Sequence, residues 1–291
     1  MGIHAHLARA LIAARAGGLK LGRTLMLGRL RLYATPTQIQ RYLDEYGIAA
    51  DARGLAGAEY AEPFLTLLGA EQVEALDASS FEGAQIIHDL NQPVPAAWHQ
   101  RYDLVLDGGT LEHVFFFPTA LQNAMSLVRP GGALFLCLPA NNFVGHGFYT
   151  FSPELFYAAL APNNGYQMVR MLVAEYYPNA PWYEVQNPAV VGKRVGFISD
   201  GHQTHLMVHA TRTHAVPIFA QTPQQNDYQA AWREGPLVLG PRTRWYDRYP
   251  WARAVSQILR NLRQSGPFRR RRNLRRSALA AQPALFIPVD R

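Results

Sequence analysis

Residues 102–139 have the sequence YDLVLDGGTLEHVFFFPTALQNAMSLVRPGGALFLCLP, and this stretch decides the fold. Its first apolar run, 104–106, stops at Asp107-Gly108-Gly109, which predicts a short strand buried on both faces. A helical pattern follows at 118–128, and a second apolar strand is predicted at 133–138. Strand, helix and strand of these lengths predict a right-handed crossover in a parallel sheet.

The carboxyl ends of the predicted strands indicate where a ligand would bind. In parallel sheets with helical crossovers, ligands bind beyond these ends. Small and polar residues occupy the predicted mouth of the sheet: Asp107, Gly108, Gly109, Glu112, His113, Asn141 and Asn142.

Alternating strands and helices extend this unit in both directions. Further strands are predicted at 23–28, 72–76, 84–88, 166–176 and 203–212, and helices at 36–46, 59–68 and 154–160. The alternation predicts an α/β, doubly wound, Rossmann-like fold with a mostly parallel sheet, helices on both faces and an antiparallel terminal strand. Residues 203–212 alternate in polarity, which is typical of an edge strand.

The chain is expected to have three parts. Residues 1–19 are predicted to form an amphipathic helix, 20–218 the α/β domain with an insertion or arm at 177–201, and 219–291 a basic tail with one helix at about 250–262. The tail has 14 Arg against four acidic residues, a net charge of +10, whereas residues 1–218 have a net charge of −3. The basic character therefore says little about the α/β domain.

The composition excludes several classes of protein. A hydrophobic content of 48% and a charged content of 17% are globular values and argue against general disorder. No apolar run approaches the roughly 18 residues of a membrane helix. Histidines and arginines inside the apolar N-terminus argue against a signal peptide. The single cysteine, Cys137, is expected to be a buried thiol, which suits a cytoplasmic protein.

Several of these motifs together resemble a known family. Over residues 20–215 the chain is similar to class I S-adenosylmethionine-dependent methyltransferases of the bacterial small-molecule and glycan type. The resemblance is carried by YDLVLDGGTLEHV, by RPGG before the next strand, by ALDAS and IIHDLN at two earlier strand ends, and by HGFYTFSPELF.

The resemblance implies S-adenosyl-L-methionine as the cofactor. Asp77, with Ala78 beside it, would accept hydrogen bonds from the ribose hydroxyls. Asp89 would accept from the adenine amine, and Leu90 would pack on the adenine ring. Either carboxylate could instead cap its own turn.

The methionine end of the cofactor is assigned to glycine-containing turns. Asp107 and Gly108 would let the backbone approach it, although a tight turn needs glycine for the same reason. Family members also carry a glycine-rich loop after the first strand. Here residues 27–32 contain a single glycine, Gly28, and Arg29 could compensate by pairing with the methionine carboxylate.

Glu112 and His113 are the catalytic candidates. A neutral imidazole near pH 7 could act as general base for an acceptor hydroxyl, whereas the alternative is a local structural role for both residues. A similar Glu-His pair binds a divalent metal in ubiquinone-type O-methyltransferases, with a carboxylate three positions earlier. Gly109 stands there in this chain, so no metal site is expected. Three other histidines are more typical of structural or surface positions: His88, His146 and His202.

Aromatic residues near the predicted mouth could line an acceptor pocket, although core packing explains most aromatic clusters. They are Phe115, Phe116, Phe117, Phe143, Phe148, Tyr149 and Phe151.

The resemblance implies methyl transfer to oxygen or nitrogen of a small-molecule acceptor, such as a sugar or glycan precursor. One alternative is a methyltransferase-like binding or scaffold protein, and another is a nucleic-acid methyltransferase recruited by the basic tail. The arginine run at 269–272 could also contact an anionic partner or membrane surface, or remain solvated.

Overall fold

The computed structural model describes residues 2–177, 179–191, 195–196, 201–225, 279–280 and 282–289. The strands are β1 (Gly2–Ile3), β2 (Gly22–Leu27), β3 (Arg31–Leu32), β4 (Ala70–Asp77), β5 (Ile86–Ile87), β6 (Tyr102–Asp107), β7 (Val128–Pro139), β8 (Tyr166–Glu175), β9 (Trp182–Val185), β10 (Thr204–Arg212) and β11 (Phe286–Pro288). The helices are α1 (Ala5–Ala16), α2 (Pro36–Glu45), α3 (Glu62–Leu67), α4 (Phe117–Leu127), α5 (Pro153–Ala159) and α6 (Pro188–Val191).

One large sheet organises the described residues, with the strand order β11-β9-β8-β10-β7-β6-β2-β4-β5. The strands from β7 to β5 in this order are parallel to one another, whereas β10 is antiparallel to both β7 and β8. Helices cover both faces: α1, α2 and α3 pack with one buried cluster, and α4 and α5 with the other. The Rossmann-like α/β fold predicted from the sequence is confirmed.

The central strands are buried because both of their faces are covered. On β2, the side chains of Leu25 and Leu27 pack into the cluster with α4, while Met26 points into the cluster with α1. This alternation explains the nearly continuous apolar runs in the sequence.

Local signals place α2 where the sequence predicts it. The Thr35 hydroxyl accepts from the Gln38 amide, and the Gln38 side chain accepts from the Thr35 amide. Pro36 occupies the first turn, where its missing amide costs nothing.

Two elements are shorter than predicted. The helix expected at 59–68 begins only at Glu62, because residues 59–61 bond to the β3 segment through Leu32 N–Glu59 O and Ala61 N–Leu30 O, both at 2.9 Å. The strand expected at 84–88 is reduced to β5, since the Gln85 side chain, rather than its backbone, accepts from the Ala75 amide at 2.8 Å.

The prediction of an edge strand at 203–212 is wrong. β10 lies between β7 and β8 in the interior of the sheet. Leu206, Val208 and Ala210 do share one buried face, as predicted. The polar residues on the opposite face, His205 and His209, are half-buried rather than exposed, so the alternation in polarity does not indicate a solvent-facing side.

The two terminal regions pack onto the domain. Residues 2–16 form β1 and α1, and the helix buries Leu7, Leu11 and Ile12. The segment expected to be an arm contributes β9 to the sheet, and β11 pairs with β9. The end of the predicted tail is therefore part of the fold, which corrects the expectation of a separate tail. The helix expected at 250–262 and the arginine run at 269–272 lie outside the described residues.

Among the described helices, none has the length and apolar character needed to cross a bilayer.

Candidate functional site

The candidate site lies where the strand order reverses direction. From β2 the chain builds outward to β4 and β5 on one side and to β6 and β7 on the other. The last residues of β2 and β6, Leu27 and Asp107, are paired at this point. Ligands of doubly wound sheets bind beyond the carboxyl ends of strands at such a switch point.

Asp107 holds the loop that follows β6. Its side chain is fully buried and accepts the backbone amides of Gly109 at 3.0 Å, Thr110 at 2.7 Å and Leu111 at 3.1 Å. Burial raises the pKa of Asp107 to about 6, although these hydrogen bonds act in the opposite direction. The Asp107 side chain therefore braces this loop, and the expected approach of the cofactor to the backbone at Asp107 stays a prediction.

Gly108 is in contact with the protein itself. The Gly2 amide donates to its carbonyl at 3.1 Å. A Cβ at this position would lie 3.1 Å from Leu30 Cδ1 and 3.3 Å from Leu7 Cδ2. The Leu30 and Leu7 side chains thus pack closely on the Cβ side of Gly108, and protein rather than cofactor occupies this side.

The loop after β2 shows how Arg29 is used. Gly28 has a left-handed φ of 68° and donates its amide to Leu76 O at 2.7 Å. The Arg29 guanidinium bonds Glu62 Oε1 at 2.7 Å and the Glu82 carbonyl at 2.8 Å, and it lies 3.9 Å above the Tyr60 ring. Arg29 is thus held by protein groups, and the compensating contact with a methionine carboxylate is not formed by this arrangement.

Two carboxylates remain at the ends of β4 and β5. Asp77 is half-buried and accepts one long hydrogen bond, from Ser79 N at 3.3 Å. Asp89 is exposed and accepts from the Asn91 backbone at 2.9 Å and side chain at 2.7 Å, which lowers its pKa. The His88 amide donates to Asp77 O at 2.9 Å, so the two strand ends adjoin.

The neighbours of these carboxylates differ in exposure. Ala78 is exposed beside Asp77. Leu90 is only 5% exposed and packs in the core with Phe117 and Ala120 of α4. The expected packing of Leu90 on an adenine ring is therefore replaced by packing inside the protein.

Glu112, His113 and His146 form a cluster at the mouth of the sheet. The Glu112 side chain is only 1% exposed, whereas those of His113 and His146 are 42% and 49% exposed. Glu112 Oε1 lies 3.5 Å from His146 Nε2 and 4.0 Å from His113 Nε2. The sequence prediction paired Glu112 with His113, but it placed His146 among structural or surface residues.

Backbone contacts between two loops hold this cluster together. Leu111–His113 form a 3₁₀ turn after β6, and the Glu112 carbonyl accepts the amides of Phe148 at 2.8 Å and Tyr149 at 3.3 Å. The Tyr149 hydroxyl donates to Phe115 O at 2.6 Å. The loop after β7 is thereby fixed against the loop after β6.

Burial controls the charge of these groups. It raises the pKa of Glu112 to about 8, and the nearby Asp107 carboxylate adds to the effect. Burial and the neighbouring His146 lower the pKa of His113. His113 is therefore neutral at pH 7, which is the form that a general base requires.

A second group of histidines lies beside the cluster and was missed by the sequence analysis. The His4 and His205 rings are 4.8 Å apart, and Phe143 lies between His205 and His146, at 4.7 Å and 5.3 Å from their rings. Burial lowers the pKa of His205 to about 4. The antiparallel direction of β10 is the signal that could have found it, because the start of such a strand lies at the mouth.

His6 and Cys137 complete this buried polar group. Trp182 Nε1 donates to His6 Nδ1 at 3.0 Å, so Nε2 of His6 carries the proton and donates to Tyr177 O at 2.9 Å. Cys137 Sγ lies 3.6 Å from His4 Nε2. Burial raises the pKa of the Cys137 thiol, as expected for a structural cysteine rather than a nucleophile.

The aromatic residues separate into an exposed rim and a buried set. The Phe115 ring packs edge-to-face on the rings of Phe116 and Phe148, with 5.3 Å and 5.6 Å between ring centroids. All three side chains are more than half exposed. The buried set belongs to the core: Phe117, Phe143 and Phe151. The rim borders the cluster because Phe148 N bonds to Glu112 O.

His88 and His202 make contacts of a structural kind. His88 Nε2 lies 3.1 Å from Gln92 O and packs edge-to-face on Trp98. The His202 ring packs on Tyr177 at 5.0 Å.

No protein-family model and no curated protein matches this sequence. Among solved structures, the chain is similar to the YcgJ protein from Bacillus subtilis, with 11% identity over 72% of this chain and 100% of that chain, and a TM-score of 0.38. It is also similar to the N-methyltransferase NodS from Bradyrhizobium japonicum WM9 in complex with S-adenosyl-L-homocysteine, with 12% identity over 72% and 87% of the chains and a TM-score of 0.39. The chain is similar as well to TehB from Haemophilus influenzae, with 14% identity over 72% of this chain and 62% of that chain, and a TM-score of 0.38.

Proposed function

We propose that this chain is an S-adenosylmethionine-dependent methyltransferase that acts on oxygen or nitrogen of a small acceptor. The observation that carries the proposal is the pair Asp77 and Asp89, which stand at the adjoining carboxyl ends of β4 and β5. Oδ2 of each carboxylate has no hydrogen-bond donor among the described residues. A nucleoside offers the matching donors, namely two ribose hydroxyls and an exocyclic amine.

The residues present fit the nucleoside end of the cofactor. Asp77 would accept from the ribose diol, and Asp89 would border the adenosine. Ala78 follows Asp77 directly, and the Gly28 amide bonds Leu76 O on the same strand as Asp77. The fit does not extend to Gly108 or Arg29, which are in contact with protein groups. When bound, the cofactor would supply an electrophilic methyl group attached to a sulfonium.

The cluster at the mouth supplies the proton chemistry. His113 is neutral and 42% exposed, so its imidazole can take the proton of an acceptor hydroxyl. The exposed rim of Phe115, Phe116 and Phe148 would cover the acceptor and exclude water. These features favour a hydroxyl acceptor, such as that of a sugar.

A specific observation also favours a second function, a non-catalytic binding protein with this fold. The loop after β2 lacks the glycine-rich sequence, and residues 2–7 lie against Gly108. This alternative predicts nucleoside binding without methyl transfer, or no binding.

Calorimetric titration with S-adenosylhomocysteine tests the proposal. We expect saturable binding by the wild type and a loss of about 10-fold to 100-fold in Asp77→Asn, since a ribose hydrogen bond to a charged acceptor is worth about 1.5–3 kcal/mol. Asp51→Asn is the matched control, because Asp51 also caps its own turn but lies in the loop after α2. Equal affinity of the wild type and Asp77→Asn would contradict the placement, and absence of binding would favour the second function.

A further inference from the structure

Three potential metal ligands meet at the mouth of the sheet. One carboxylate oxygen of Glu112 and one ring nitrogen each of His113 and His146 lie within 4.8 Å of one another. The two shorter separations, 3.5 Å and 4.0 Å from Glu112 Oε1, are close to the edge of a metal tetrahedron. Bonds of about 2.0–2.2 Å to nitrogen and oxygen give such an edge a length of about 3.4 Å.

The second oxygen of Glu112 is an independent sign that a ligand belongs here. The side chain is 99% removed from solvent, and Oε2 has no hydrogen-bond partner among the described residues. A buried carboxyl oxygen without a hydrogen-bond partner is costly whether the group is protonated or ionised, and a metal ion is a partner that would satisfy it.

Backbone hydrogen bonds fix the positions of the two loops that carry the ligands. The Phe148 amide bonds the Glu112 carbonyl at 2.8 Å, and the His146 amide bonds the Phe143 carbonyl at 3.0 Å. A Cβ on Gly147 would lie 2.8 Å from Glu112 O, so this close approach requires glycine. The arrangement is thus set by backbone contacts, not by the side chains alone.

The donor set indicates the class of metal. Two imidazole nitrogens and one carboxylate oxygen suit Zn²⁺ and its neighbours among the divalent transition metals, whereas Mg²⁺ and Ca²⁺ prefer oxygen ligands. Both histidines are partly exposed, so a fourth position can face solvent. Three protein ligands and one open position are typical of catalytic rather than structural zinc sites.

We propose that Glu112, His113 and His146 bind one divalent transition-metal ion whose open position faces the mouth of the sheet. The ligand that the sequence lacks at Gly109 is supplied by His146 from the next loop. In the open position the ion accepts an oxygen ligand, either water or a hydroxyl. That this hydroxyl belongs to a methyl acceptor rests on the proposed function, whereas metal binding does not. The ring nitrogen of His113 that binds the ion cannot also take a proton, so the general-base role of His113 belongs to the metal-free protein.

Metal titration of the full-length protein, prepared without a histidine tag and stripped with a chelator, tests the site. Co²⁺ is the probe, followed by its visible d–d absorption, and Zn²⁺ is then used to displace it. We expect one equivalent of Co²⁺ to bind, and its visible absorption should have the intensity typical of a four- or five-coordinate ion. Both steps are done without S-adenosylmethionine, so that a failure here leaves the proposed function standing.

Variants assign the binding to these residues. His146→Ala removes an exposed side chain and should weaken Co²⁺ binding by at least about tenfold, with little change in folding. Glu112→Gln should weaken it similarly, and circular dichroism checks that variant's fold. The control is His99→Ala, at an exposed histidine in the loop before β6, which should bind like the wild type.

A rise in melting temperature gives a second readout, because an ion that binds only the folded state stabilises it. Zn²⁺ should raise the melting temperature of the wild type and of His99→Ala, but not that of His146→Ala. The proposal is overturned if the wild type binds no single equivalent, or if His146→Ala binds as tightly as the wild type. It is also overturned if His99→Ala loses binding to the same extent.

Discussion

Glu112 and His146 follow neighbouring parallel strands, and their side chains meet with 3.5 Å between Oε1 and Nε2. Glu112 is fixed by the turn after β6, and His146 lies in the loop after β7. Their proximity depends on how closely one loop approaches the other, and Gly147 controls that distance because its Cα faces the Glu112 carbonyl.

Gly147→Ala should therefore disturb both stability and the cluster. The added Cβ would lie 2.8 Å from Glu112 O and 3.1 Å from Glu112 Cγ, so the loop must shift. We expect a loss of about 1–3 kcal/mol in the free energy of unfolding, measured by urea denaturation, together with weaker Co²⁺ binding. Gly54→Ala is the control, since a Cβ there meets nothing within 4 Å. Equal stability of the two variants would show that the loop is not closely packed.

His113 should affect turnover more than stability. Its side chain is 42% exposed and its pKa is lowered, so it is neutral and accessible at pH 7. We expect His113→Gln to reduce methyl transfer about 10²-fold to 10⁴-fold while its melting temperature stays close to that of the wild type. The measurement is steady-state kinetics of the chelator-treated, metal-free proteins with an identified acceptor, so that loss of a metal ligand does not contribute to the result. A wild-type rate in this variant would leave catalysis to positioning of the substrates alone.

His209 should make the folded protein less stable in mild acid. Burial lowers the pKa of His209 to about 4, and its ring stacks on Phe135. An unfolded chain protonates this histidine below about pH 6.5, whereas the folded protein resists protonation down to its own pKa. Above pH 6.5, His209 is neutral in both states and does not reduce the free energy of unfolding. As the pH falls from 6.5 towards 4, only the unfolded chain binds the proton, so the free energy of unfolding decreases.

His209→Gln should reduce this acid sensitivity. At pH 5, protonation of His209 in the unfolded chain lowers the free energy of unfolding of the wild type by up to about 2 kcal/mol, and at pH 7.5 this decrease is close to zero. The free energy of unfolding, measured by urea denaturation at both pH values, should drop less in His209→Gln than in the wild type. His99→Gln, at an exposed position, should follow the wild-type drop. A drop in His209→Gln as large as in the wild type would mean that His209 is solvated.

The sequence predicts those parts of the site that follow from strand ends. Asp77, Asp89 and His113 are at the predicted mouth because the carboxyl ends of parallel strands share one edge of a sheet. The approach of His146 is not predictable in this way, since it lies in a loop without hydrophobic periodicity and depends on a close backbone contact at Gly147.

Contacts between segments far apart in the sequence explain why the roles of Arg29 and β10 differ from those predicted. Arg29 follows β2, and its partner Glu62 begins α3, so the ion pair exists only after both elements have packed. The position of β10 inside the sheet depends on its pairing with β8, and β9 and β11 extend the sheet further beyond β8. Local alternation gives the buried face of a strand but not its place in the sheet.

The C-terminal strand provides the last test, because it decides whether the end of the chain stabilises the domain. On β11, Phe286 is fully buried in the core, whereas its neighbour Ile287 is 47% exposed. Phe286→Ala should lower the free energy of unfolding by about 3–5 kcal/mol, and Ile287→Ala by less than about 1 kcal/mol. Truncation before residue 279 should destabilise the protein at least as much as Phe286→Ala, since it also removes the buried Leu279 and Leu285. Urea denaturation of the three proteins makes the comparison. If Phe286→Ala and Ile287→Ala lose the same small amount, β11 is not packed on β9 in solution, and the terminal segment is dispensable after all.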